Sequence, residues 1–210
     1  MLNRNRRILV LCVAAALTPV SMPARGDIRT LDPFVGDRHE PFNFGFTAIV
    51  ARFEIFQGAG DLSSFDGHTT VIHLLLSDSL GGDTVTPRTG PNILGFTQGP
   101  GIFDFNPPVQ RFGGYFNNDS GANDATVDFF DGGGGLIGTR AATTPAPGNQ
   151  WVWNGWESDT PISRMVVTGN GVIHGFLWFD DMEISAVPSP GMSALLLAAV
   201  GAAARRRRAR

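Results

Sequence analysis

The chain has 210 residues, with 27 glycines, 14 prolines, 16 phenylalanines and one tyrosine. Its formal charge of −3 conceals an asymmetry: without Arg4, Arg6, Arg7 and the five arginines at 205–208 and 210, 8 arginines face 19 acids. So acidic a body repels phosphate backbones, which argues against a nucleic-acid partner, and with Cys12 as the only cysteine the body can form no disulfide.

The first residues have the order of an export signal. Arg4 to Arg7 are basic, Ile8 to Leu17 form an apolar run too short to span a bilayer, and Pro19 and Pro23 lead to the small residues Ala24 and Gly26. This predicts a signal helix over residues 1–26, cut after Ala24 or Gly26. Leu11 stands where a lipoprotein signal needs a small residue, so Cys12 is not read as a lipid anchor.

Residues 27–186 read as strands. Asp27, Asp32 and Asp37 lie among Pro and Gly in a lead-in segment. Thr47 to Phe56 alternates with period two, and Gly58 to Asp61 should end it. Thr69 to Leu76 is apolar on both faces, as a central strand would be, and residues 83–101 read as a long surface connection. Ile102–Phe105, Gln110–Phe116, Ala125–Phe130 and Leu136–Thr139 are short strands separated by turns at Asn117–Asn123 and Gly132–Gly135. Asn154-Gly155 between Trp153 and Trp156 carries the strongest short hairpin signal. Pro161–Val167 and Val172–Ile184 complete a set of about nine short strands, which predicts an all-β, antiparallel sandwich.

The chain then reads Val187-Pro188-Ser189-Pro190-Gly191, an uncharged run over 192–204, and Arg205-Arg206-Arg207-Arg208-Ala209-Arg210. The run is about 20 Å long as a helix, short against a hydrocarbon core of about 30 Å. The arginines should stay cytoplasmic by the positive-inside rule and can snorkel to extend its reach. The order of proline motif, brief membrane segment and Arg cluster over residues 187–210 resembles a PEP-CTERM sorting tail, with Ser189 in place of the Glu of the commonest motif. The resemblance implies secretion, transient membrane anchoring, cutting near the motif by an exosortase-type protease, and delivery to the cell surface or beyond. Phe112-Gly113-Gly114-Tyr115-Phe116, Trp153-Asn154-Gly155-Trp156 and Phe179-Asp180-Asp181 resemble the jelly-roll bodies often found before such tails.

Candidate chemistry is sparse. Asp180 and Asp181 adjoin on a strand, so alternation should turn them to opposite faces, where they cannot flank one glycosidic bond. One of them can join an N-terminal acid in a structural Ca²⁺ site, and no other cofactor is indicated. Asn117-Asn118-Asp119-Ser120-Gly121 reads as a turn without the spacing of a calcium loop. His39, His68, His73 and His174 are scattered, and neither a Gly-x-Ser-x-Gly elbow nor a phosphate loop occurs. Trp151, Trp153 and Trp156, with Trp178, are candidates for stacking on sugar rings, against sheet packing as the favoured reading. The leading expectation is a non-catalytic surface or extracellular-matrix protein. The alternative is an extracellular carbohydrate-binding module that meets a polysaccharide, and a secreted hydrolase comes third because it lacks a motif. Exposure of the tryptophans discriminates: an exposed planar strip favours sugar, a buried cluster favours structure.

Overall fold

The computed structural model describes residues 26–46, 48–64, 72–76, 85–96, 99–118, 124–145, 150–169 and 177–187. Within them lie twelve strands, paired antiparallel throughout: β1 (Ile28–Thr30), β2 (Arg38–Glu40), β3 (Ala48–Val50), β4 (Arg52–Ile55), β5 (Gly60–Ser64), β6 (Ile72–Leu76), β7 (Asn92–Phe96), β8 (Gly101–Asn118), β9 (Asp124–Phe130), β10 (Leu136–Thr143), β11 (Val152–Gly169) and β12 (Leu177–Ala186). The chain is all-β, as expected. The expected signal helix and membrane segment lie outside the described residues.

Two long strands organise the rest. The first part of β8 pairs with β5 and with the last part of β11, while its second part pairs with the first part of β11 and with β12. The Phe103 and Phe112 rings, both on β8, are 5.5 Å apart. In a straight strand, residues nine apart would be about 30 Å apart. The strand therefore turns back between them, at Pro107 and Pro108, which have no N–H to give to a ladder. β11 slips register over the matching stretch, between Glu157 and Ile162, and carries Pro161 there. Such corners let one strand serve two sheets. The first sheet runs β4-β5-β8-β11-β9-β10; the second runs β1-β11-β8-β12-β7-β6-β3, with β2 beside the end of β12.

The two sheets face each other across an aromatic core. Phe103 of the first sheet meets Phe179 of the second at 5.2 Å, and Phe129 of the first meets Trp156 of the second at 5.4 Å. Phe105, Phe56 and Trp156 also surround Phe112. A buried carboxylate closes one end: Glu40 accepts the amides of Phe56 (2.9 Å) and Phe42 (3.4 Å), two residues held at positive φ. Burial raises the Glu40 pKa, and the two amides oppose that rise.

Several expectations are corrected. Asn154-Gly155 makes no hairpin, because β11 runs straight through it. Asn154 instead bridges the backbone of Thr143 through both ends of its amide, at 2.8 and 2.9 Å. A Cβ on Gly155, or on Gly113 opposite it, would strike the Trp153 indole, so glycine here makes room for a ring. The single strand expected over Thr47–Phe56 divides at Ala51, β3 going to the second sheet and β4 to the first. The strand over this stretch ends at Ile55, a 3-10 turn at Phe56–Gly58 follows, and Gly60 and Asp61 already belong to β5; the connection over 83–101 contains β7. Asn117 and Asn118 are buried strand residues of β8, not a turn.

Phe112 touches four rings, so Phe112→Ala should cost about 3–5 kcal/mol in urea unfolding. Leu136→Ala, at an exposed position, should stay within about 0.5 kcal/mol.

Candidate functional site

On the outer face of the second sheet, Trp153, Tyr115 and Asp180 lie in one cross-strand row. Beyond Asp180 the ladder slips by one residue, and Asp181 adopts φ 44°. This β-bulge re-aims Asp181, so the expectation of opposite faces fails. Both carboxylates meet the segment 86–89, which lies over the sheet as a strap. Asp180 accepts the amides of Arg88 (2.7 Å) and Thr89 (3.1 Å) on one oxygen, and that of Asp181 (2.8 Å) on the other. Asp181 pairs with the Arg88 guanidinium, accepts the Thr89 hydroxyl at 2.6 Å, and lies 3.4 Å from His39 Nε2. The same guanidinium sits 3.6 Å above the Tyr115 ring.

Asp180 and Asp181, the residues named for the expected calcium site, are thus engaged by the protein's own cation and strap amides. Among the described residues no group of three or more His, Cys, Asp or Glu could hold a metal ion. Burial pushes the Asp180 pKa up to about 6; the Thr89, Asp181 and Arg88 amides pull it down, and the Asp181 charge adds to the rise.

The tryptophans form no exposed strip. Trp156 is core, 1% exposed, and stacks on Phe112. Trp178 is fully buried with Val85 and Ile93, and Trp151 packs against that cluster and donates to the Thr86 carbonyl at 3.0 Å. Trp153 is half-buried between the edges of Tyr115 and Phe34 and donates to the Leu31 carbonyl at 3.0 Å. The strap and these bonds make the face a second small core. His68 and His174 lie outside the described residues, as do Pro188, Ser189, Pro190 and Gly191 of the sorting motif and Arg205, Arg206, Arg207, Arg208 and Arg210. Val187 is described, and its amide donates to the Pro108 carbonyl at 3.1 Å.

The opposite face is different. A groove of about 580 Å³ lies on the outer side of the first sheet. Ile102 and Val166, paired across β8 and β11, make an apolar floor, and Phe130 forms an aromatic wall beside Arg164. The Arg164 Nε donates to Asp104 Oδ1 at 2.6 Å, with both side chains reaching solvent. That hydrogen bond raises the Arg164 pKa above its ordinary value. Ser163 and the turn 131–134 close the rim. Asp131 Oδ1 holds the turn by accepting the amides of Gly133 and Gly135, and Gly134 adopts φ 79° with open space around it. None of these residues was singled out as a site from the sequence. The available signal was Ile102 and Val166, apolar residues at outward positions of strands whose inward positions are apolar too.

No family model matches the sequence, and no curated protein matches it. An arabinose-bound GH51 α-L-arabinofuranosidase is similar over 70% of this chain, at 13% identity and a TM-score of 0.44; the match spans only 26% of the enzyme's chain. The CBM22-1 xylan-binding domain of Paenibacillus barcinonensis Xyn10C is similar over 75% of this chain and 100% of its own, at 11% identity and a TM-score of 0.41. A DUF4465 family protein from Bacteroides caccae is similar over 76% of this chain and 92% of its own, at 11% identity and a TM-score of 0.43. These are likenesses of backbone shape, and the function proposed for this chain rests on its own residues.

Asp180 supplies a pH test of the strap. Its folded pKa, about 6, lies above the ordinary 3.8, so the folded state holds the proton more tightly. The stability it contributes is full below about pH 4 and is lost as pH rises through about 6. The melting temperature of Asp180→Asn minus that of the parent should therefore rise between pH 4 and 7 and then level off. A difference that falls over this range would refute the burial assigned to Asp180.

Proposed function

We propose that this chain is an exported, non-catalytic cell-surface or extracellular-matrix protein whose β-sandwich binds a polysaccharide in the groove of its first sheet. The carrying observation is the groove's composition: an aromatic ring and an apolar floor beside an exposed Asp–Arg pair. Sugar rings present apolar C–H faces to an aromatic side chain and hydroxyls to charged donors and acceptors, so both kinds of surface are used together. The balanced Asp104–Arg164 pair suits a neutral ligand. The absence of catalysis is part of the proposal; it is supported by the engagement of Asp180 and Asp181 with the strap, which leaves that pair no free acid and base.

Sorting by an exosortase-type system, with transient membrane anchoring, is part of the same proposal. It is supported by the sequence of residues 187–210 and by the signal-like order of residues 1–26. The jelly-roll connectivity implied by the resemblance of the body belongs here too.

Two experiments test these parts separately. In native gels containing xylan, mixed-linkage β-glucan or galactomannan, the protein should be retarded by at least one. Phe130→Ala and Arg164→Ala should each weaken that retardation about tenfold, while Trp151→Ala should not. No retardation in any of the three gels would refute the polysaccharide reading. Mass spectrometry of the mature protein from its own cells should show a chain beginning near Arg25 or Asp27 and ending between Pro188 and Gly191. An intact Arg210 on the surface-exposed protein would refute sorting.

A further inference from the structure

The groove is one end of a longer row. On the outer face of the first sheet, Phe130 of β9 stands opposite Arg164 of β11, Arg164 opposite Asp104 of β8, Asp104 opposite Asp61 of β5, and Asp61 opposite Glu54 of β4. Five consecutive strands thus each place one ring or charged group on a single line. At about 4.8 Å per strand the line is about 19 Å long. Only its Phe130–Asp104 portion lines the groove.

The remainder repeats the groove's Asp–Arg pairing, without its ring or apolar floor, and has an unexplained cost. Asp104 and Asp61 are directly opposite, as are Asp61 and Glu54, and like charges at opposite positions destabilise a sheet. Two arginines offset this: Arg52 ion-pairs with Asp61 as Arg164 does with Asp104. These pairs are partly or largely exposed, so they add little to stability. Apolar or threonine pairs would hold these strands together as well or better. What the row does provide is a straight, evenly spaced series of hydrogen-bonding groups beginning at an aromatic ring.

We infer that the ligand is an extended, unbranched, neutral saccharide chain lying across the strands, and that Arg52, Asp61 and Glu54 form a second subsite beyond the groove. This rests on the polysaccharide reading of the groove and adds the ligand's direction and minimum length. One pyranose unit along an extended β-linked chain is about as long as one strand is wide, so successive sugars meet successive strands. A ligand confined to Phe130 and Arg164 would need only two units; a ligand reaching Glu54 needs about five. The acids accept from sugar hydroxyls, and the arginines both donate and neutralise them. A chain bearing a carboxylate on each sugar would meet three acids in line and be repelled.

Chain length separates this inference from the reading beneath it. Calorimetry compares the disaccharide and the hexasaccharide of whichever polysaccharide, xylan, mixed-linkage β-glucan or galactomannan, retards the protein. The hexasaccharide should bind at least about tenfold more tightly. The double variant Arg52→Ala/Glu54→Ala, whose residues are exposed and outside the core, should remove most of that advantage and leave disaccharide affinity unchanged. Its melting temperature checks that it is folded. Phe130→Ala should weaken both ligands. Equal affinities for the two lengths, or an unchanged hexasaccharide affinity in the folded double variant, would overturn the second subsite while leaving the groove intact. Absence of retardation by all three polysaccharides would overturn the polysaccharide reading itself, and this inference with it.

Discussion

The contact between Phe103 and Phe112 is the constraint on which the molecule depends. It exists only because β8 turns back at Pro107-Pro108, and that turn converts one hydrogen-bonded network into two facing layers. β11 follows the same corner, so the two strands exchange partners together without leaving either layer unpaired. Once the corner is set, Phe105, Phe129, Trp156 and Phe179 have only one place to go, the space between the layers. Chain economy follows as well: two strands of 18 residues do work that a two-sheet body usually divides among four. The strap at 86–89 covers part of the second sheet's outer face, and among the described residues no segment lies over the groove of the first.

The strap shows how a polar pair can serve packing. Trp178 and Ile93 point away from the main core and would be exposed without the segment above them. A strap of backbone needs its N–H groups satisfied, and Asp180 accepts two of them. The bulge at Asp181 then delivers a second carboxylate to the strap's one cation, which also rests on Tyr115. Desolvating Asp180 has a cost, seen in its raised pKa, and the covering of Val85, Trp151 and Trp178 offsets it. The bulge and the αL residue are tolerated because Asp adopts positive φ more readily than most residues.

Much of the architecture was legible in the sequence, for physical reasons that also explain the failures. Period-two alternation marks a strand wherever one face is buried, so Ala125–Phe130 and Leu136–Thr139 were readable. Ile102–Phe105 and Gln110–Phe116 were read as separate strands, yet β8 continues through Pro107-Pro108 as β11 does through Pro161, because at a corner the missing N–H costs nothing. Asn-Gly was read as a turn because the pair tolerates positive φ; here Gly155 is small for the sake of the Trp153 ring. Sequence alternation could not foresee the bulge that brings Asp180 and Asp181 together. The groove was invisible because its members come from β8, β9 and β11, and only register places Phe130 beside Arg164 and Asp104.

The tether at Val187 has a mechanical meaning. Its amide bonds to Pro108, at the corner of β8, and the strand behind it is β12. Antiparallel partners flank β12 on both sides, β8 along one and β2 then β7 along the other. Tension entering at Val187 runs along the β12 axis. It loads these ladders in shear, many bonds at once, instead of peeling them one by one. Forced unfolding is governed by the unfolding rate rather than by equilibrium stability. A body held through this strand would resist extension better than its thermodynamic stability alone suggests.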